Sequence, residues 1–149
     1  RPGEATGAKW KEFDLSRCVW TVPAERTKTN QSHEVPLSKQ AVALLKRIPN
    51  KGKEHVFPGR SGRPIVTAAT LKALRSIPGA EAYTCHGFRS SFRDWAAENT
   101  THGRDIIEMS LAHKILSKTE AAYYRSTMLT KRAELMSSWG DYCLTSRAR

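Results

Sequence analysis

Two kinds of apolar pattern divide this chain, and their order limits the folds open to it. Up to Leu37 the apolar residues form short β-branched or aromatic runs cut by proline, whereas from Ser38 onward they recur at helical spacing. The run Cys18-Val19-Trp20-Thr21-Val22 has strand character and stops at Pro23; His33-Glu34-Val35-Pro36-Leu37 is a second strand, confined by Pro36 to an edge or an end. The polar, turn-like residues 25–32 between them predict a small antiparallel hairpin sheet whose tip or flank carries Lys28. Before the hairpin, residues 1–11 read as a short helix with Pro2 near its start and Ala5 and Trp10 toward a core.

The second part is helical. Ser38 caps a helix whose stripe is Gln40, Ala41, Leu44, Leu45 and Ile48, ending before Pro49. Residues 50–64 form a loop rich in Gly, Pro and basic side chains, and Thr67 opens a helix with Leu71 and Leu74 inward, closed by Pro78-Gly79. Thr84 caps a helix over residues 86–99, where Phe88, Phe92, Trp95 and Ala96 share a core stripe and His86, Arg89 and Arg93 lie off it. Residues 104–111 make a further helix, and residues 119–139 a long tract broken near Ser126, with Leu135 and Trp139 packing in cis or on a neighbouring copy. With no internal repeat or low-complexity segment, the expected class is α+β: a mainly helical domain with a small antiparallel sheet.

Composition narrows the partners. At 149 residues the chain suits one domain, residues 1–149, and its longest apolar runs, such as residues 41–45, cannot span a bilayer. Lys and Arg outnumber Asp and Glu 25 to 14, a net charge of +11, which favours a polyanion such as a nucleic acid. Cys18, Cys85 and Cys143, an odd number without CxxC spacing, argue against a disulfide framework and fit a reducing cytoplasm. Because the first residue is Arg1 and not methionine, the chain is expected to be a piece of a longer protein.

Six short segments carry the chemistry. In chain order they are Arg1-Pro2-Gly3-Glu4, Thr27-Lys28-Thr29 with the later Val35-Pro36-Leu37, Val56-Phe57-Pro58-Gly59, His86-Gly87-Phe88-Arg89, Leu111-Ala112-His113 and Ala122-Tyr123-Tyr124-Arg125. Singly each is weak, since a lone HxxR is common by chance. Together and in order they resemble the tyrosine recombinases (phage-type integrases), in the branch of prophage and genomic-island integrases, across essentially the whole chain.

The resemblance implies a C-terminal catalytic domain whose N-terminal arm-binding and core-binding domains are absent here. It implies double-stranded DNA as partner, a tetramer on paired DNA sites at full length, accessory DNA-bending or excision factors, and a bacterial cytoplasm at the nucleoid. It also implies cleavage through a covalent 3′-phosphotyrosine that frees a 5′-hydroxyl, conserving bond energy so that neither ATP nor a metal is needed. Cationic side chains must then stabilise the phosphoryl oxygens, and arginine suits this because its planar fork donates two hydrogen bonds and stays charged. On this resemblance Arg1 and Arg89 clamp the non-bridging oxygens, and His113 donates to the same oxygens. Lys28 protonates the departing 5′-oxygen, His86 moves the nucleophile's proton, and Tyr123 attacks. Ala122 before it and Arg125 two residues later select Tyr123 over the alternative, Tyr124.

Other readings stay in view. Arg1, as the first residue, is expected to fray. Each arginine and histidine could be an ordinary surface group; His33, His55 and His102 fit no motif and read as surface residues, and Cys85, His86 and His102 match no usual zinc spacing. A non-catalytic DNA-binding remnant or regulator of the same fold is the leading alternative. A type IB topoisomerase shares the chemistry but not the LAH and AYxR contexts, and no RNP-like or GXXG pattern supports an RNA-binding domain. As half of a DNA clamp, the chain is expected to bind DNA weakly, through phosphates, with affinity that falls steeply as salt is added.

Overall fold

The computed structural model describes residues 1–49, 52–113 and 127–145. In order come α1 (Pro2–Thr6), a 3-10 turn (Trp10–Glu12), β1 (Phe13–Asp14), β2 (Val19–Val22), a second 3-10 turn (Ala24–Arg26) and β3 (His33–Pro36). Then follow α2 (Lys39–Arg47), α3 (Thr67–Arg75), α4 (Gly87–Asn99), α5 (Arg104–Ser110) and α6 (Leu129–Thr145). This is the expected α+β domain, helices with one small sheet. No helix among the described residues is long and apolar enough to cross a membrane.

The hairpin forms as expected, with β2 antiparallel to β3 and Val22 opposite His33. A third strand, β1, joins the other edge of β2, and Phe13 stacks on Trp20 at 5.3 Å between ring centres. Lys28 lies in the loop between β2 and β3.

Residues 1–11 do not form one helix. The guanidinium of Arg26 donates to the Glu4 carbonyl and pairs with the buried Glu12, which also accepts from the Trp20 indole at 2.9 Å. α1 ends against this arginine: a β-carbon at Gly7 would meet Arg26 Nη2 at 3.2 Å. Thr6 and Ala8 are buried, while Ala5 is exposed.

Ser38 caps α2, its Oγ accepting from the Ala41 N–H at 3.2 Å. The buried face is set by Val42 and Leu45, so Leu44, expected inward, is 61% exposed. Thr84 does reach the start of α4, accepting from the Gly87 N–H at 3.1 Å. Phe92 and Ala96 are buried with Ile106, Ile107, Leu111 and Leu135, but Phe88 is exposed, because this cluster does not extend over the first turn of α4. On α3, Leu71 and Leu74 are only half-buried. The three histidines read as surface groups are all partly buried, and His33 lies against Arg132.

α6 organises the domain. It packs on α2, α4, α5 and β3, with Leu135 fully buried. Trp139 meets Phe92 edge-on at 5.5 Å and Trp95 at 5.0 Å, and Tyr142 extends this aromatic seam. Leu135 and Trp139 therefore pack within the chain. Gly140 is buried where α6 crosses the start of α2; a β-carbon there would lie 2.7 Å from Ser38 Oγ and closer still to Gln40 Oε1. Gly140→Ala is expected to lower stability by roughly 1–3 kcal/mol, overpacking outweighing the ~1 kcal/mol gain in helix propensity. The check is the denaturant midpoint at constant slope; an unchanged midpoint would mean that the α2 terminus yields freely.

Candidate active site

The site is built around the end of α5. The N–H of Ala112 bonds to the Met109 carbonyl at 3.0 Å and the N–H of His113 to the Glu108 carbonyl at 3.0 Å. This paired closure is a Schellman motif, and it requires the residue after the cap to be left-handed. Ala112 takes that conformation at φ 50°, which costs a non-glycine residue on the order of 1 kcal/mol. The turn folds His113 back over the helix, so its Nδ1 lies 2.6 Å from Glu108 Oε2.

A helix C-terminus presents carbonyls without helical partners and a partial negative charge. Both predicted arginines use it. Arg89, from α4, donates through Nη2 to the Leu111 carbonyl at 2.5 Å and lies 3.0 Å from His113 Nε2. Arg1 donates through Nη2 to the Ala112 carbonyl at 3.1 Å and through Nη1 to Glu4 at 2.8 Å. The terminal arginine is thus anchored at both ends of its fork, contrary to the expectation that it frays. Burial and then the charge of Arg1 lower the pKa of Arg89 from its ordinary value, with Glu4 and Glu108 opposing.

An open cleft of about 480 Å³ is lined by Arg1, Lys28, Thr29, Ala112 and His113. Four of the predicted site residues, Arg1, Lys28, Arg89 and His113, therefore meet at or beside one cleft. His86 is at the N-cap of α4, one turn before Arg89, exposed and outside the lining. Tyr123, its alternative Tyr124 and the rest of their motif lie outside the described residues.

Two residues at the site were not anticipated. Glu108 bridges His113 and Arg93, whose Nε donates to Oε1 at 2.7 Å. Burial raises the pKa of Glu108, but the hydrogen bonds from Arg93 and His113 outweigh it, and the group is held below its ordinary value. The five-residue spacing from Glu108 to His113 is the only signal the sequence offered, and it has meaning only once the helix end is known. Among the described residues no group of three or more His, Cys, Asp or Glu side chains could hold a metal ion.

The model of the phage integrase family matches residues 1–129. The prophage integrase IntA of Escherichia coli K12 is 34% identical over 145 residues, covering 95% of this chain and 35% of that protein. The integrase of Enterobacteria phage P4 is 32% identical over 161 residues, covering 95% and 37%. The chain thus spans little more than a third of these relatives. The integrase from mycobacterium phage Brujita superimposes with a TM-score of 0.65 at 21% identity, over 92% of this chain and 46% of that one, which supports the fold. With a family match over most of its length and the same fold, the chain belongs to the phage integrase family.

Proposed function

We propose that this domain cuts and rejoins double-stranded DNA in site-specific recombination, through a covalent 3′-phosphotyrosine at Tyr123. The observation that carries the reading is the convergence of Arg1, Arg89, His113 and Lys28 at one open, basic cleft. Phosphoryl transfer needs positioned positive charge at the equatorial oxygens and an acid at the leaving oxygen. Arg1 and Arg89 fill the first role with His113, and Lys28, on the adjacent loop, the second. His86, one helical turn from Arg89, is assigned to the nucleophile's proton.

The test is a trapped adduct. A duplex nicked beside the scissile phosphate loses its short 5′-hydroxyl strand after cleavage, so the reverse step fails and the tyrosine ester accumulates. DNA from an attachment site of the parent element, flanking its integrated ends, supplies the sequence. The expected result is an adduct mapped by mass spectrometry to the peptide containing Tyr123, at Tyr123 and not Tyr124. DNA binding without an adduct, with the remainder of the parent protein supplied, would favour the non-catalytic remnant.

A further inference from the structure

We infer that Glu108 is a positioning residue for the proposed reaction, fixing which nitrogen of His113 carries the proton. The inference rests on the catalytic reading of His113 and deepens it. In a Schellman motif the side chains of the third residue from the helix end and of the second residue past the cap, here Leu111, come together, commonly as an apolar contact. Here those positions are Glu108 and His113, and the contact is a carboxylate on an imidazole at 2.6 Å. An ionised carboxylate only accepts hydrogen bonds, so His113 Nδ1 must carry a hydrogen. Arg93 holds the other carboxylate oxygen at 2.7 Å, which stops the carboxylate from turning away.

The opposite nitrogen, Nε2, lies 3.0 Å from Arg89 Nη2. Guanidinium nitrogens only donate, so Nε2 is the acceptor in this contact, and with the carboxylate at Nδ1 the ring has the hydrogen-bond pattern of an Nδ1–H tautomer. Donation from Nε2 to a phosphate then requires a proton there as well, giving an imidazolium. Among the described residues, the charged groups around that ring are Arg89 and Arg93 from α4, Glu108 from α5, and, at the same cleft, Lys28 and Arg1 with its partner Glu4. Glu108 is, among the described residues, the carboxylate in contact with the ring, and the second carboxylate nearby, Glu4, is taken up by Arg1. Glu108 therefore orients the imidazole and balances its positive charge, as a buried carboxylate does for the histidine of a hydrolytic triad.

Nitrogen-15 spectra of ring-labelled histidine test this without any turnover. In the unmodified chain, at a pH where the ring is neutral, His113 should show a protonated Nδ1 and a bare Nε2. Glu108→Gln, whose amide oxygen can still accept, should keep that pattern, and Glu108→Leu should shift it toward the Nε2–H form favoured by free imidazole. In the trapped-adduct assay Glu108→Leu should lose roughly 10- to 100-fold in rate and Glu108→Gln recover much of it. An Nε2–H tautomer in the unmodified chain, or an identical spectrum in Glu108→Leu, overturns the inference. An adduct that survives Tyr123→Phe overturns the catalytic reading instead, and leaves the tautomer result standing on its own.

Discussion

Replacing Arg89 by alanine is expected to slow cleavage of a DNA phosphodiester by on the order of 10³-fold, while DNA affinity falls only a few-fold. The split follows from where the charge is used. Binding of a basic domain to DNA is spread over many phosphates, so losing one contact is a small part of the whole. Arg89 is different because it is half-buried at the end of α5, fixed by the Leu111 carbonyl and close to His113. A preorganised donor in a partly desolvated place acts on the charge that develops in the transition state, and no solvent must reorganise there. Arg89→Lys should recover little: a lysine cannot hold the Leu111 carbonyl and a phosphate with one planar fork. Single-turnover rates on the nicked duplex, beside titrations of the same variants, measure both quantities. Equal losses in rate and affinity would make Arg89 a general DNA contact and remove it from the clamp.

The two arginines also explain how much of the site could be read in advance. The motifs nominated the residues, and the helical stripe of residues 86–99 indicated the element that carries Arg89. The periodicity did not say what holds them. Arg1 is fixed by the carbonyl of Ala112, 111 residues away, and Glu108 acquires its role only because the chain reverses at Ala112. A left-handed alanine carries no compositional mark of the kind a glycine would. The same limit accounts for Leu44 and Phe88. Helical spacing shows that an apolar face exists but not where its partner helix stops, and α6, the partner that decides, begins only at Leu129, far along the chain from both. Gly7 was similarly silent: its value is the room it leaves for Arg26, which arrives from beyond β2.

Arg132 shows the same limit in the core, and its removal should have the largest effect on stability. It looks like one more basic residue on an amphipathic helix, yet it is 2% exposed. Its Nη2 donates to the Glu34 carbonyl at 2.6 Å and approaches His33 Nε2 at 3.3 Å, and its Nη1 donates to the Thr127 carbonyl at 3.3 Å. One guanidinium thus fixes α6 and Thr127, the first described residue after the segment with Tyr123, to the strand returning from Lys28. Arg132→Ala leaves a cavity and two carbonyls without this donor, and should cost roughly 3–5 kcal/mol. Arg132→Met fills the space and removes the desolvated charge, so it should cost about half as much. His33 adds a pH signature. Burial, then the neighbouring Arg132 charge, lowers its pKa from 6.5 to about 4. Between those values the unfolded chain binds a proton that the folded chain refuses, so stability falls as pH falls from 6.5 toward 4, by up to about 2 kcal/mol after allowance for its partial exposure. His33→Gln should flatten that part of the stability profile, and Arg132→Met should flatten it in part by removing the facing charge. Denaturant midpoints at pH 7 and pH 5 for the three proteins decide it: slopes that match the unmodified chain would mean that neither burial of His33 nor the Arg132 charge opposes its protonation in the folded chain.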